Sequence, residues 1–178
     1  MNSATFLARQ APLKELYNND AQSALLTLKA RGALDTLNVT CNVETGRGLA
    51  TAGMHQKTGG SGLELCSGDM LLEALIACAG VAMNAAATVL DIPLKSAVVS
   101  AEGDVDLRGT LGVTEGVKVG FSEIRLRFDI TSDAPQEKLD ELLALTERYC
   151  VIYDTLRSSP SIKVRMNAGH SGHEGGSC

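Results

Sequence analysis

Ser67-Gly-Asp-Met-Leu-Leu-Glu-Ala-Leu-Ile-Ala-Cys78 leads into the longest apolar stretch of the chain, which runs from Met70 to Leu90. About 20 apolar residues suffice to cross a bilayer, so the stretch raises the question of a membrane span. It carries Glu73 and Asn84, however, and is rich in Ala rather than Leu or Ile. With amphipathic elements on both sides, it reads as the buried central helix of a globular protein. Ser67 or Asp69 is the expected cap at its start, and Pro93 marks its exit. At 100° per residue, Leu71, Ala74, Ala82, Ala85 and Val89 share a face with Cys78. Glu73 points roughly 140° away, so no charged group of the same helix reaches the thiol.

Downstream, Val99, Ala101, Val105 and Leu107 mark one face of a strand over Ser96–Leu107. Over Phe121–Thr131, Ile124, Leu126, Phe128 and Ile130 alternate with Glu123, Arg125, Arg127 and Asp129, the clearest strand pattern in the chain. Gly109–Gly120 connects the two as a hairpin loop. Asp133-Ala-Pro135 signals a helix start, with Asp as N-cap and Pro in the first turn. Leu139, Leu142, Leu143 and Thr146 then recur at helical spacing toward Cys150. A short helix over Val151–Arg157 leads through Pro160 to a final strand, Ser161–Met166.

Upstream, the pattern predicts a helix over Ala8–Asn18 with Leu13, Leu16 and Tyr17 on one side, then a strand over Ala24–Arg31. After a turn at Arg31-Gly32 comes a second strand with Leu37, Val39, Cys41 and Val43 facing inward. Gly46–Gly68 is a long loop around Gly59-Gly-Ser-Gly62, with a short strand near Leu49. Helices and antiparallel hairpins alternate without regular βαβ units, which makes the fold class α+β. One domain covers residues 1–166, with residues 1–20 as a helical extension. Residues 167–178 form a Gly/Ser/His-rich tail expected to be disordered.

At 178 residues the chain is long enough for one core without metals or disulfides. A net charge of −5 gives no electrostatic basis for binding nucleic acid. With no Trp and 3% aromatic residues, the core must be aliphatic. The N-terminus lacks a basic region followed by an apolar run, so the expected location is the cytoplasm, with its five cysteines as thiols, metal ligands or redox groups.

Two of those cysteines, Cys78 and Cys150, are far apart in sequence and each falls on the apolar side of a predicted helix. If folding brings the sulfurs together, they form a dithiol in apolar surroundings; otherwise they are core residues. An isolated buried thiol has a raised pKa and is inert, so a reactive Cys78 requires a cation from another segment. Cys150 lies at the C-terminal end of its helix, where the dipole opposes thiolate formation. That suits a thiol that attacks an already oxidised partner. Cys41 is most simply a core residue and Cys66 a loop residue. His170, His173 and Cys178 lie in a tail without a rigid scaffold, and no metal site is expected. His55, in the long loop, either enters a site or is solvated.

The Gly59-Gly-Ser-Gly62 loop, the Ser67–Cys78 segment, the Pro93 exit, the hairpin and Leu143-Ala-Leu-Thr-Glu-Arg-Tyr-Cys150 together resemble the OsmC/Ohr superfamily of osmotically inducible protein C and organic hydroperoxide resistance protein. The resemblance implies antiparallel sheets wrapped around two central helices in an intertwined homodimer. It also implies thiol peroxidase chemistry. Cys78 attacks an organic hydroperoxide and becomes a sulfenic acid, and Cys150 condenses with it to a disulfide that an external dithiol reduces. No cofactor is implied beyond that reductant, and no nucleic-acid or membrane partner. Arg31 matches the activating arginine best and Arg47 second, with Asp69 as a candidate orienter and His55 as a candidate at the entrance. Where the peroxidase branches carry a glutamate, this chain has Gly68. The rival expectation is therefore a non-catalytic module of the same fold, binding an apolar ligand or sensing redox state.

Overall fold

The computed structural model describes residues 2–27, 31–35, 40–45, 48–113 and 115–167; for 21, 31–35 and 40–45 it describes the backbone alone. Helix α1 spans Ser3–Asn19, with the Asn2 side chain accepting from Thr5 N–H as its cap. Its half-buried positions are Ser3, Phe6 and Gln10, whereas Leu13, Leu16 and Tyr17 are exposed. The strand expected over Ala24–Arg31 does not form where it is described. The Asp20 side chain accepts from Gln22 N–H at 3.0 Å and Ser23 Oγ donates to Asp20 O at 2.7 Å, closing a 3-10 turn over Ala21–Ala24. These local bonds turn the chain before any ladder begins, and β1 starts instead at Arg31 and runs to Asp35, where a turn was expected.

The first sheet has the order β1-β2-β3-β4, with β2 over Thr40–Thr45, β3 over Gly48–Gly53 and β4 over Leu65–Cys66. β1, β2 and β3 pair antiparallel, and β4 joins β3 in parallel through Ala52 and Gly53. Between β3 and β4, a 3-10 turn over Gln56–Thr58 folds so tightly that a Cβ at Gly60 would lie 1.7 Å from the Met54 carbonyl oxygen. Only glycine fits there.

Helix α2, Ser67–Val89, follows β4 without a break. Its N-cap is Cys66, with no side-chain cap bond, because extended backbone paired to β3 runs up to the first helical residue. Asp69 sits in the first turn, where a negative charge complements the helix dipole, but it does not cap. α2 is long and apolar enough to cross a membrane, yet it packs against β5, α4 and α5, the elements that follow it. Its buried stripe is Leu75, Ala79, Met83 and Ala86, an i, i+4, i+8, i+11 series. That stripe lies roughly a quarter turn from the Cys78 face. Leu71 and Val89, expected beside Cys78 in the core, are exposed. A helix apolar on nearly every side does not reveal which side the core takes.

The second sheet pairs β5, Ser96–Val105, antiparallel with β6, Phe121–Thr131. Val99 and Ala101 face inward as expected, but a bulge at Asp104/Val105 shifts the register. Val105 is thereby left exposed, and Leu107 starts a four-residue helix α3, Leu107–Thr110. Helix α4 spans Gln136–Tyr149, with Pro135 rather than Asp133 as N-cap. Asp133 instead pairs with Lys95 Nζ at 2.6 Å. α5, Val151–Arg157, matches its expected bounds. Ser161–Met166 is not a strand: its alternation suits one, but no described strand offers it a ladder. The core joins Met83, Ala86, Ala87, Ile92 and Leu142, with Phe128, Ile130 and Leu139 against it.

Candidate functional site

α4 and α5 meet at Cys150, which is the C-cap of one helix and the N-cap of the other. Leu142, Thr146 and Cys150 form the buried stripe of α4, spaced i, i+4, i+8, and Cys150 is 1% exposed. Thr146 satisfies its buried hydroxyl by donating to Leu142 O at 2.7 Å. Because α2 packs on both α4 and α5, the Cys78 side chain comes within interaction range of the Cys150 thiol. The structure thus brings the two thiols near each other, though they are 72 positions apart in sequence. Both are free thiols, with Cys78 half-buried and Cys150 enclosed.

Burial pushes the Cys150 thiol up, since the thiolate loses water. The backbone N–H groups of Tyr153 and Ile152 donate to the sulfur and act in the opposite direction, while Cys78 adds to the upward push. In sequence, only the C-terminal end of α4 is seen to bear on Cys150. The structure adds donors from the first turn of α5, and a helix predicted to start at Val151 was the legible sign of them. Among the described residues, no cation contributes to the Cys150 environment.

Beside Cys150 lies a cavity of about 1120 Å³ between α2, the inner face of β6, α4 and α5. Leu75, Ala79, Leu126, Phe128, Leu139 and Tyr153 supply much of its wall. The sequence reading did not assign Leu75 and Ala79 to the site, because it placed the core stripe of α2 elsewhere. The cavity rim carries Arg157, which stacks 5.7 Å from the Tyr153 ring centroid and contacts Asp154 at 3.5 Å.

His55 and Asp69 occupy a different place. Together with Cys66 they line a smaller cleft of about 280 Å³ at the start of α2. His55 is exposed, and its Nδ1 accepts from Lys57 N–H at 3.1 Å. Nine residues of α2 separate Asp69 from Cys78, a rise of about 13.5 Å. The structure brings His55 and Asp69 to each other but not to the cysteine pair. Arg31 is the first residue of β1, paired in register with Glu44, and its side chain lies outside the described residues, as does that of Cys41. Arg47, His170, His173, Cys178 and the rest of the expected tail beyond Asn167 lie outside them entirely. Among the described residues, no three His, Cys, Asp or Glu side chains converge to hold a metal.

A family model described as OsmC-like protein matches residues 59–165, from the glycine-rich loop through α5. Solved structures share the fold. An OsmC-like protein from Mycoplasma pneumoniae aligns with a TM-score of 0.62 at 16% identity, covering 75% of this chain and 89% of that one. An organic hydroperoxide resistance protein OsmC from Legionella pneumophila aligns at 0.60 and 19% identity, covering 75% and 91%. An organic hydroperoxide resistance protein from Elizabethkingia anophelis aligns at 0.61 and 17%, covering 76% and 91%. No curated protein sequence matches the chain at a significant level.

Proposed function

Because this chain belongs to the OsmC-like protein family, we propose that it reduces organic hydroperoxides with its own thiols. The observation that carries the reading is the nearness of Cys78 to Cys150, which lines a cavity walled in part by Leu75, Leu126, Phe128 and Leu139. Cys78 attacks the distal peroxide oxygen, the O–O bond breaks, and an alcohol leaves as a sulfenic acid forms. Cys150 then attacks the sulfenic sulfur, expelling water and closing a disulfide. An external dithiol restores both thiols by exchange, in the reducing setting of a cytoplasm. The cavity favours alkyl over hydrogen peroxide, since each Å² of alkyl surface buried contributes roughly 25 cal/mol. Relatives named for organic hydroperoxide resistance share the fold and support this substrate class.

The proposal includes a homodimer. Only 28% of the most apolar stretch of α2 is buried, and Val81 is 72% exposed. Ile162, Val164 and Met166 project from an unpaired segment at 84–86% exposure. Apolar area of this extent calls for a cover, and a second copy of the chain supplies one. Arg31, carried on a neighbouring sheet, is the proposed activating cation, and Asp69 and His55 belong to an entrance region at the start of α2.

Cumene hydroperoxide tests the reading. Wild-type protein with a dithiol is expected to turn it over, Cys78→Ser to abolish turnover, and Cys150→Ser to leave a sulfenate that a dimedone probe captures. Wild-type rates no faster than free thiol, with no Cys78–Cys150 disulfide in peptide mass spectra, would remove it. A second reading is a binding or redox-sensing module of the same fold. Gly68, where the peroxidase branches carry glutamate, favours it. A Cys78 thiol that titrates above the ordinary range would select that module.

A further inference from the structure

Three sulfur-bearing side chains, Met54, Cys66 and Met70, line the cleft of about 280 Å³ at the start of α2. The fold brings them there from different elements. Parallel pairing of β3 with β4 sets Gly53 opposite Cys66, and Met54 is the residue that follows Gly53. Met70 comes four residues after Cys66, about one turn into α2. The turn after β3 packs so closely on Met54 that a Cβ at Gly60 would sit 2.9 Å from the Met54 Cβ, which holds Met54 in place. Gly68 adds no side chain beside the Cys66 sulfur, which lies 3.7 Å from where a Cβ at Gly68 would be. The same cleft carries the carboxyl groups of Glu64, Asp69 and Glu73, and no lysine or arginine among the described residues of its wall.

Hard and borderline metal ions need oxygen, nitrogen or thiolate donors, and no three His, Cys, Asp or Glu side chains among the described residues converge to supply them. His55 lines the cleft, but its Nδ1 accepts from Lys57 N–H at 3.1 Å. The neutral ring therefore carries its proton on Nε2 and offers a metal no free lone pair. A thiolate flanked by two thioethers suits a soft monovalent cation instead. We infer that Cys66, Met54 and Met70 form a copper(I) site, toward which the three carboxylates draw the cation. Binding exchanges the Cys66 proton for the metal, the proton leaves to solvent, and no electron is transferred. Met54 is 42% exposed, and Cys66 and Met70 are half-buried, so the ion enters directly from solvent. Cys66 and Cys78 are 12 positions apart along α2, a rise of about 18 Å. The site thus stands or falls separately from the peroxidase reading.

Silver(I), a diamagnetic ion of the same charge and softness, reads the site by carbon-13 NMR of labelled methionine methyls in the full chain. Of the five methionines, Met54 and Met70 are expected to shift as silver(I) is added, and the other three to stay in place. Met54→Leu and Met70→Leu assign the two signals while keeping side-chain volume. The double variant retains all five cysteines, and its copper(I) affinity, measured in competition with bicinchoninate, is expected to fall at least ~10-fold. Cys66→Ser with wild-type circular dichroism is expected to abolish both methyl shifts, whereas Cys78→Ser leaves them; Cys66→Ala repeats the measurement should the serine variant misfold. Met54 and Met70 signals that stay in place while silver(I) binds to other thiols would overturn the inference. So would shifts that persist without the Cys66 thiol, or a double variant that holds copper(I) as tightly as wild type. Zinc(II) is expected to move neither signal, and shifts equal to those with silver(I) would count against a site selective for soft ions.

Discussion

Burial governs Cys150 more than any partner does, and its consequences can be measured. The folded state holds the thiol proton more tightly than the unfolded chain, so its contribution to stability is complete below the ordinary thiol pKa. It is lost as pH rises through the raised folded value. Between about pH 8 and about pH 10, the urea midpoint of the reduced wild-type protein is expected to fall more than that of Cys150→Ala. An equal fall in both would show that the thiol is not held protonated by the fold. Leu142, just over two turns before it on α4, is fully buried against the core. Leu142→Ala is expected to cost about 2–5 kcal/mol in denaturant unfolding, because it removes packing where the surroundings collapse only partly.

At the scale of elements, local bonds and bulges decide what alternation leaves open. β6 has the bounds its sequence alternation predicts, while β5 loses its last expected inward residues to the bulge at Asp104/Val105. Beside that bulge, a Cβ at Gly103 would sit 2.5 Å from the Phe121 ring. Gly103→Ala is therefore expected to destabilise the protein by about 1–3 kcal/mol, seen as a lowered urea midpoint with an unchanged slope. A neutral result would mean that Phe121 has room to rotate. Over residues 24–27, the described start of the strand expected at Ala24–Arg31, no ladder forms, because a period of two is not sufficient for a strand. Asp20 offered nearer hydrogen bonds, and the chain took those. Ser161–Met166 has the same period and lacks a partner among the described strands.

For the whole molecule, the apolar face of α2 and the outward Ile162, Val164 and Met166 belong to the proposed dimer. Light scattering is expected to give twice the 18.7 kDa chain mass. Val81→Lys places a charge on the uncovered α2 face and is expected to shift the protein toward monomer. A wild-type monomer at all concentrations would end that part of the proposal.

The amino-acid order alone determined that α2, β6, α4 and α5 exist, and it placed Cys150 in the core, since 3.6- and 2-residue periods are local properties of the chain. Its resemblance to a family foreshadowed the Cys78–Cys150 pairing. Only the tertiary structure decided which side of α2 is buried, because a helix apolar all round has no intrinsic inside. It also set His55 and Asp69 in a cleft of their own and turned the first N–H groups of α5 onto the Cys150 sulfur. Those outcomes depend on how helices cross and which surface excludes water, and neither is encoded in any single stretch of residues.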